Sequence, residues 1–154
     1  MGPAAKALPA FPPLQEDARE PKLEAVALQE PAMPVIRPDS LPVERFPGGA
    51  SYRTIVGDAA GSTPLRVGIQ ISPPGYSTGI HAHPYLEVVT VLEGEGEAWI
   101  DGEGGPVAVA PGATMVFPAG VRHSFRVTGT TPLKTYGVHA SPERIVQRPP
   151  PDDA

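Results

Sequence analysis

Hydrophobic and polar residues alternate one for one through much of the second half of this chain, and glycine or proline interrupts the alternation every few residues. Val121, His123, Phe125 and Val127 share one parity, while Arg122, Ser124 and Arg126 share the other; Gly96, Ala98 and Ile100 alternate in the same way with Glu95, Glu97 and Trp99. Successive side chains of a strand point to opposite faces, so these segments predict half-buried strands with one inward face. Candidate strands are Ser51 to Val56, Pro64 to Ser72, Gly79 to His83, Tyr85 to Leu92, Glu95 to Ile100, Val107 to Ala110, Thr114 to Phe117, Val121 to Val127 and Leu133 to His139. No helix-length periodic segment lies between them. The expected fold is therefore all-β, with enough strands to close a single antiparallel β-barrel. Asp101-Gly102 suits a two-residue hairpin, and Phe117-Pro118-Ala119-Gly120 suits a type I turn that delivers His123 to the inward face.

Proline and glycine also divide the chain. Ten of the 22 prolines fall in residues 1 to 47, and 16 of the 17 glycines fall after that point. Proline removes a backbone donor and disfavours helix at the preceding residue. Residues 1 to 47 are thus expected to form an extended, partly disordered Pro-rich N-terminal arm, with one short helix at most, around Lys22 to Gln29. Within it Val35, Ile36, Leu41, Val43 and Phe46 supply apolar surface to lie against the barrel or across a partner subunit. Residues 48 to 141 form the barrel domain, and 142 to 154 a C-terminal tail whose end, from Arg148, is polar and expected to fray.

Composition narrows the partners. Twelve basic and 17 acidic residues give a net charge of −5 without any Lys/Arg cluster, which speaks against nucleic acid or an anionic membrane and for a small molecule. Cysteine is absent, removing disulfides, thiolate ligands and a cysteine nucleophile together. Neither a secretory signal nor a membrane-length apolar run is visible, and a cytoplasmic location is expected. The acidic series Glu93, Glu95, Glu97, Asp101 and Glu103 reads as a solvated hairpin face, not a calcium site. Trp99 shares its outward parity and, with other outward apolar residues, suggests a dimer surface.

The chemistry lies in two segments. His81, His83 and Glu87 have the same parity, so they point to one side of a strand, and His123 lies on the apolar face of another. Three imidazoles and a carboxylate suit one divalent transition metal, iron(II), manganese(II), nickel(II), zinc(II) or cobalt(II), with about two coordination positions left free. The spacing Gly75-x5-His81-x-His83-x3-Glu87-x6-Gly94 followed by Gly112-x5-Pro118-x-Gly120-x2-His123 resembles the two signature motifs of the cupin superfamily, over roughly residues 50 to 140. At position 127, where the family has asparagine, this chain has Val127; that position is not a ligand, so only an outer hydrogen bond is lost. The resemblance implies a cupin or jelly-roll barrel with metal held inside by His81, His83, Glu87 and His123, and a homodimer, sometimes built by strand exchange.

Superfamily membership implies no single reaction. The leading expectation is a metal-dependent enzyme of dioxygenase type acting on a small oxygenated molecule. The alternatives are a metal-dependent isomerase or lyase, a non-catalytic sugar- or acid-binding module, and a structural role in which the metal braces the barrel. No separate general base is evident. His139 lies outside both motifs and reads as a rim or surface histidine, with a hydrogen-bonding group behind the metal ligands or a proton carrier as the alternative; Tyr76, Tyr85 and Tyr136 are candidate hydrogen-bond donors at the barrel mouth, and Arg53, Arg66, Gln70, Met115 and Lys134 candidate pocket positions. None is assigned a catalytic role. Because imidazole binds metal only when neutral, metal affinity is expected to decline as pH drops through about 6.5.

Overall fold

The computed structural model describes residues 35–58 and 61–150. Among the described residues nine short strands carry the architecture: β1 (Glu44–Arg45), β2 (Ser51–Val56), β3 (Arg66–Ser72), β4 (Glu87–Glu93), β5 (Gly96–Ile100), β6 (Val107–Val109), β7 (Thr114–Phe117), β8 (His123–Val127) and β9 (Leu133–His139). Among the described residues there is no α-helix, only two 3-10 turns at Pro38–Ser40 and Pro47–Gly49. No helix among them is long and apolar enough to cross a membrane.

All pairings between strands are antiparallel. They form a six-stranded sheet in the order β1-β2-β3-β9-β4-β7 and a three-stranded sheet in the order β6-β5-β8. The hydrophobic core draws on both: Val89, Val91, Met115, Phe117 and Leu133 from the larger sheet, Ala98, Val109, Phe125 and Val127 from the smaller. Apolar inner faces of two sheets meet in this way in a jelly roll. Val127, the departure from the motif, is one of these core residues.

Alternation survives into burial. On β8, His123, Phe125 and Val127 are buried while Arg126 is exposed; on β5, Gly96 and Ala98 are buried while Glu97 and Trp99 lie partly in solvent. Three of the outward acids are paired, Glu93 with Lys134, Glu97 with Arg126 and Asp101 with Arg122.

Three local expectations change. Residues 79 to 83 are not a strand. They make two isolated pairings, His81 with His123 and Ala82 with Gln147, after a third at Ser77 with Arg126, and β4 begins only at Glu87, after a bend at Pro84 and Tyr85. Proline at 84 has no N–H to continue a ladder. The turn before β8 closes one residue later than expected, from Val121 N–H to Pro118 O at 3.2 Å. Gly120 then occupies the third position at φ +76°, where a type II turn requires glycine. The β5 to β6 connection is also longer than a two-residue hairpin, running from Asp101 to Pro106.

Candidate metal centre

Backbone pairing assembles the site before any side chain is considered. His81 and His123 exchange two backbone hydrogen bonds, 3.0 and 2.8 Å, which set the first histidine segment beside β8. The left-handed Gly120 donates its N–H to the His83 carbonyl at 2.7 Å, and Ala82 and Gln147 exchange bonds of 2.8 and 2.9 Å on the other side. Glu87, the first residue of β4, is registered against Phe117 of β7 and against His139 of β9.

Within this frame one donor atom from each of His81, His83, Glu87 and His123 lies within 4.8 Å of every other, and all four residues are buried. Each histidine is aimed by a hydrogen bond from its Nδ1 to a backbone carbonyl: His81 to Gly79 at 2.8 Å, His123 to Val121 at 2.9 Å, and His83 to Ile145. A neutral imidazole has one N–H. With that proton on Nδ1, the Nε2 lone pairs of His83 and His123 face Glu87 Oε2 at 3.2 and 3.0 Å. Phe117 stacks on the His123 ring at 4.0 Å between centroids and Tyr85 on the His83 ring at 5.2 Å, which limits rotation of both. The donor set therefore fits a divalent cation: neutral imidazoles oriented through their outer nitrogens, plus one carboxylate.

A fifth titratable group completes the cluster. His139 is only 4% exposed, its Nε2 is 3.5 Å from Glu87 Oε1, and its Nδ1 is buried with no hydrogen-bond partner. Burial lowers the pKa of His81 to about 4, against the raising effect of the Gly79 carbonyl, and lowers that of His139 to about 4, against the Glu87 carboxylate. Burial pushes Glu87 up, but hydrogen bonding at the facing nitrogens of His123 and His83, which requires a proton or a cation there, outweighs that and holds the carboxyl well below the usual range. Glu87 is thus ionised, and His81 and His139 beside it are kept neutral by desolvation.

The cavity enclosed by these groups is about 30 Å³ and is also lined by Tyr52, Gln70 and Arg144. That is room for an ion or a water, not for an organic molecule.

A family model described as a cupin domain matches residues 68–139, from the middle of β3 to the last residue of β9. The chain carries a cupin domain. This cupin is similar to Protein SchB of Streptomyces halstedii, 34% identical over 92 residues, 59% of this chain and 65% of SchB. The chain therefore spans just under two thirds of that relative. Its fold is similar to that of a predicted oxalate decarboxylase from Thermotoga maritima, with 26% identity and a TM-score of 0.62 over 68% of this chain and 96% of the other. It is also similar to that of the polyketide cyclase RemF from Streptomyces resistomycificus, with 23% identity and a TM-score of 0.65 over 75% of this chain and 84% of the other. The second likeness bears on fold alone.

The cupin motifs account for four of the buried polar groups, and the structure corrects the reading of a fifth. His139 is not a rim or surface histidine, because the register of β4 against β9 sets it opposite Glu87 inside the sheet sandwich. Of the tyrosines, Tyr85 accepts a hydrogen bond from Ile145 N–H at 2.9 Å and braces His83, Tyr76 lines a neighbouring cleft, and Tyr136 is exposed. Gln70 faces the cavity, whereas Met115 is in the core and Lys134 pairs with Glu93. Arg66 pairs with Glu44, and Arg53 is half-buried outside the cavity lining.

Tyr52, Ile145 and Arg144 escaped sequence reasoning. Tyr52 packs over Gly68, where an added Cβ would lie 2.3 Å from its hydroxyl, and that hydroxyl is buried without a partner. The C-terminal segment holds His83 through the Ile145 carbonyl, and order extends to Arg148, whose Nη1 donates to the Thr78 carbonyl at 3.2 Å. The expected helix near Lys22 to Gln29 and most of the N-terminal arm lie outside the described residues. Residues Glu44–Arg45 of the arm pair with β2, and Phe46 stacks on Tyr52 at 6.0 Å.

Proposed function

We propose that this cupin is a metal-dependent enzyme in which His81, His83, Glu87 and His123 hold one divalent transition metal and a small oxygen-bearing molecule binds beside it. The observation that carries this reading is the confrontation of two imidazole lone pairs with Glu87 Oε2 at 3.2 and 3.0 Å. Such an arrangement is repulsive unless positive charge lies among the three atoms. Extra protons would create two buried imidazolium ions around one carboxylate, a costly desolvation, whereas one shared cation uses every lone pair.

The reaction class best supported is proton transfer next to a carbonyl, as in a lyase, isomerase or cyclase. A bound cation would supply Lewis-acid polarisation of a substrate oxygen. The chain's own contribution is His139. Its Nε2–H faces Glu87, and its unpartnered Nδ1 is an acceptor on the cavity side chain that no backbone group claims. Such a nitrogen can take a proton from a substrate carbon or hydroxyl and return it, while the buried Tyr52 hydroxyl orients an oxygen. The name of one structural relative, a predicted oxalate decarboxylase, denotes a substrate rich in carboxyl oxygen.

Dioxygenase chemistry stands as the second reading, because four protein donors on an octahedral ion leave about two positions, enough for substrate and dioxygen together. Elemental analysis and an oxygen electrode separate the two. Purified protein is expected to carry about one metal per chain, to convert β-keto or hydroxy acids without oxygen uptake, and to lose turnover by about 10²- to 10⁴-fold in His139→Gln while keeping its metal. Oxygen consumed in step with substrate would establish the second reading. Protein that retains no transition metal from metal-supplemented buffer would overturn both.

A further inference from the structure

Beside the ion-sized cavity lies a larger cleft of about 330 Å³, within the usual range for small-molecule sites. The two share Thr78, His81 and Arg144 as lining residues, so the cleft lies directly against the metal centre with only these side chains between them. An organic substrate too large for 30 Å³ must place its body here and reach the metal with one end. Two guanidinium groups line this cleft, Arg144 and Arg148, with Phe46 and Tyr76 supplying apolar surface.

The two arginines differ from Arg66, Arg122 and Arg126, although Arg45 and Arg53 likewise form no ion pair among the described residues. Arg66, Arg122 and Arg126 are each neutralised by a carboxylate at 2.7 to 3.0 Å. Among the described residues Arg144 and Arg148 have no acidic partner: Arg144 lies over the Phe46 ring at 4.6 Å, and Arg148 donates one bond to the Thr78 carbonyl. Both line the same cleft as Tyr76, whose hydroxyl is pushed up by burial while Arg144 and then Arg148 pull against it. A guanidinium held against a ring and lacking a counter-ion offers its free N–H fork to a carboxylate.

The geometry points to an organic carboxylate as the substrate class, its carboxylate held by Arg144 and Arg148 in the outer cleft while an oxygen at its other end faces the metal. This rests on the metal-dependent reading above but is separable from it. The apolar stretch between the two ends would lie along Phe46 and Tyr76, so an acid with a ring or chain should be preferred to a two-carbon one.

Calorimetric titration of the full chain with 1-naphthoate and with its neutral analogue 1-naphthamide tests this, on both metal-loaded and chelator-treated protein. Wild type is expected to bind naphthoate at least about tenfold more tightly than naphthamide in both forms. Arg144→Gln/Arg148→Gln should lose about tenfold for naphthoate and less than about twofold for naphthamide, the latter also reporting that the cleft is intact. Equal affinity for acid and amide, or naphthoate binding that needs the metal and ignores the arginines, would overturn the carboxylate assignment while leaving the metal enzyme standing. Arginine-dependent binding in a protein that never retains metal would keep the assignment and remove the enzyme reading it was built on.

Discussion

At the scale of single residues, two buried histidines tie stability to pH. His81 and His139 have folded pKa values of about 4, against an unfolded value of about 6.5. Between those limits the unfolded chain binds more protons than the folded one, so unfolding stability rises with pH there. The metal-free protein is expected to lose stability as pH falls from about 6.5, with the histidine contribution exhausted below about 4. Glu87, whose folded pKa is depressed, continues the loss below the ordinary carboxylate value of 4.5. Urea titrations of chelator-treated protein between pH 4 and 8 should show this slope, and His139→Gln should reduce it. A midpoint unchanged between pH 7 and 5 would contradict the neutral state assigned to both rings. The same desolvation changes the metal argument made from unperturbed histidine: at His81, proton competition for the ion belongs near pH 4, not 6.5.

At the scale of elements, the motif glycines have unequal roles. Gly94, between β4 and β5, has φ +82°, and an added Cβ would stand 2.4 Å from the Pro132 carbonyl oxygen and 2.9 Å from Leu133 Cα. Gly120 has φ +76°, but its Cβ would meet nothing within 4 Å. Gly120→Ala should therefore cost about 1 to 2 kcal/mol, for the left-handed backbone alone. Gly94→Ala adds a collision with backbone that cannot rotate away, for a total of about 2 to 5 kcal/mol. Equilibrium denaturation of the two variants measures the difference, and the reverse order would show that the turn before β8 is the more constrained. One segment departs from its sequence expectation for a related reason. Residues 79 to 83 alternate like a strand, but their backbone partners are single residues of β8 and the C-terminal segment, not a continuous neighbour.

For the molecule as a whole, the candidate metal centre links elements far apart in sequence: the 79 to 83 segment, the start of β4, the start of β8 and, through the Ile145 carbonyl, the C-terminal segment. A cation bound only by the folded chain adds RT ln(1 + [L]/Kd), about 2.7 kcal/mol at a hundredfold excess over Kd, or roughly 10 °C in Tm for a domain of this size. Thermal melts with and without added zinc(II) or nickel(II) should show this rise in wild type and not in His123→Ala. An equal rise in both would place the binding ion elsewhere.

What the sequence determined by itself was local and periodic. Alternation along β8 set His123 on the buried face, because a strand cannot turn one side chain without turning its neighbours. The spacing of His81, His83, Glu87 and His123 named the four groups that converge. Tertiary structure alone decided the rest. His139 gained its place from the register of β9 against β4, a relation between residues 52 positions apart, 139 against 87, that leaves no trace in local pattern. Tyr52, Arg144 and Ile145 reached the site by the same route: β2 crossing the glycine of β3, and a proline-rich segment folding back onto the first histidines. A side chain's direction follows from its neighbours in sequence, but its company in the interior depends on which strands pair, and that is settled by the packing of the whole chain.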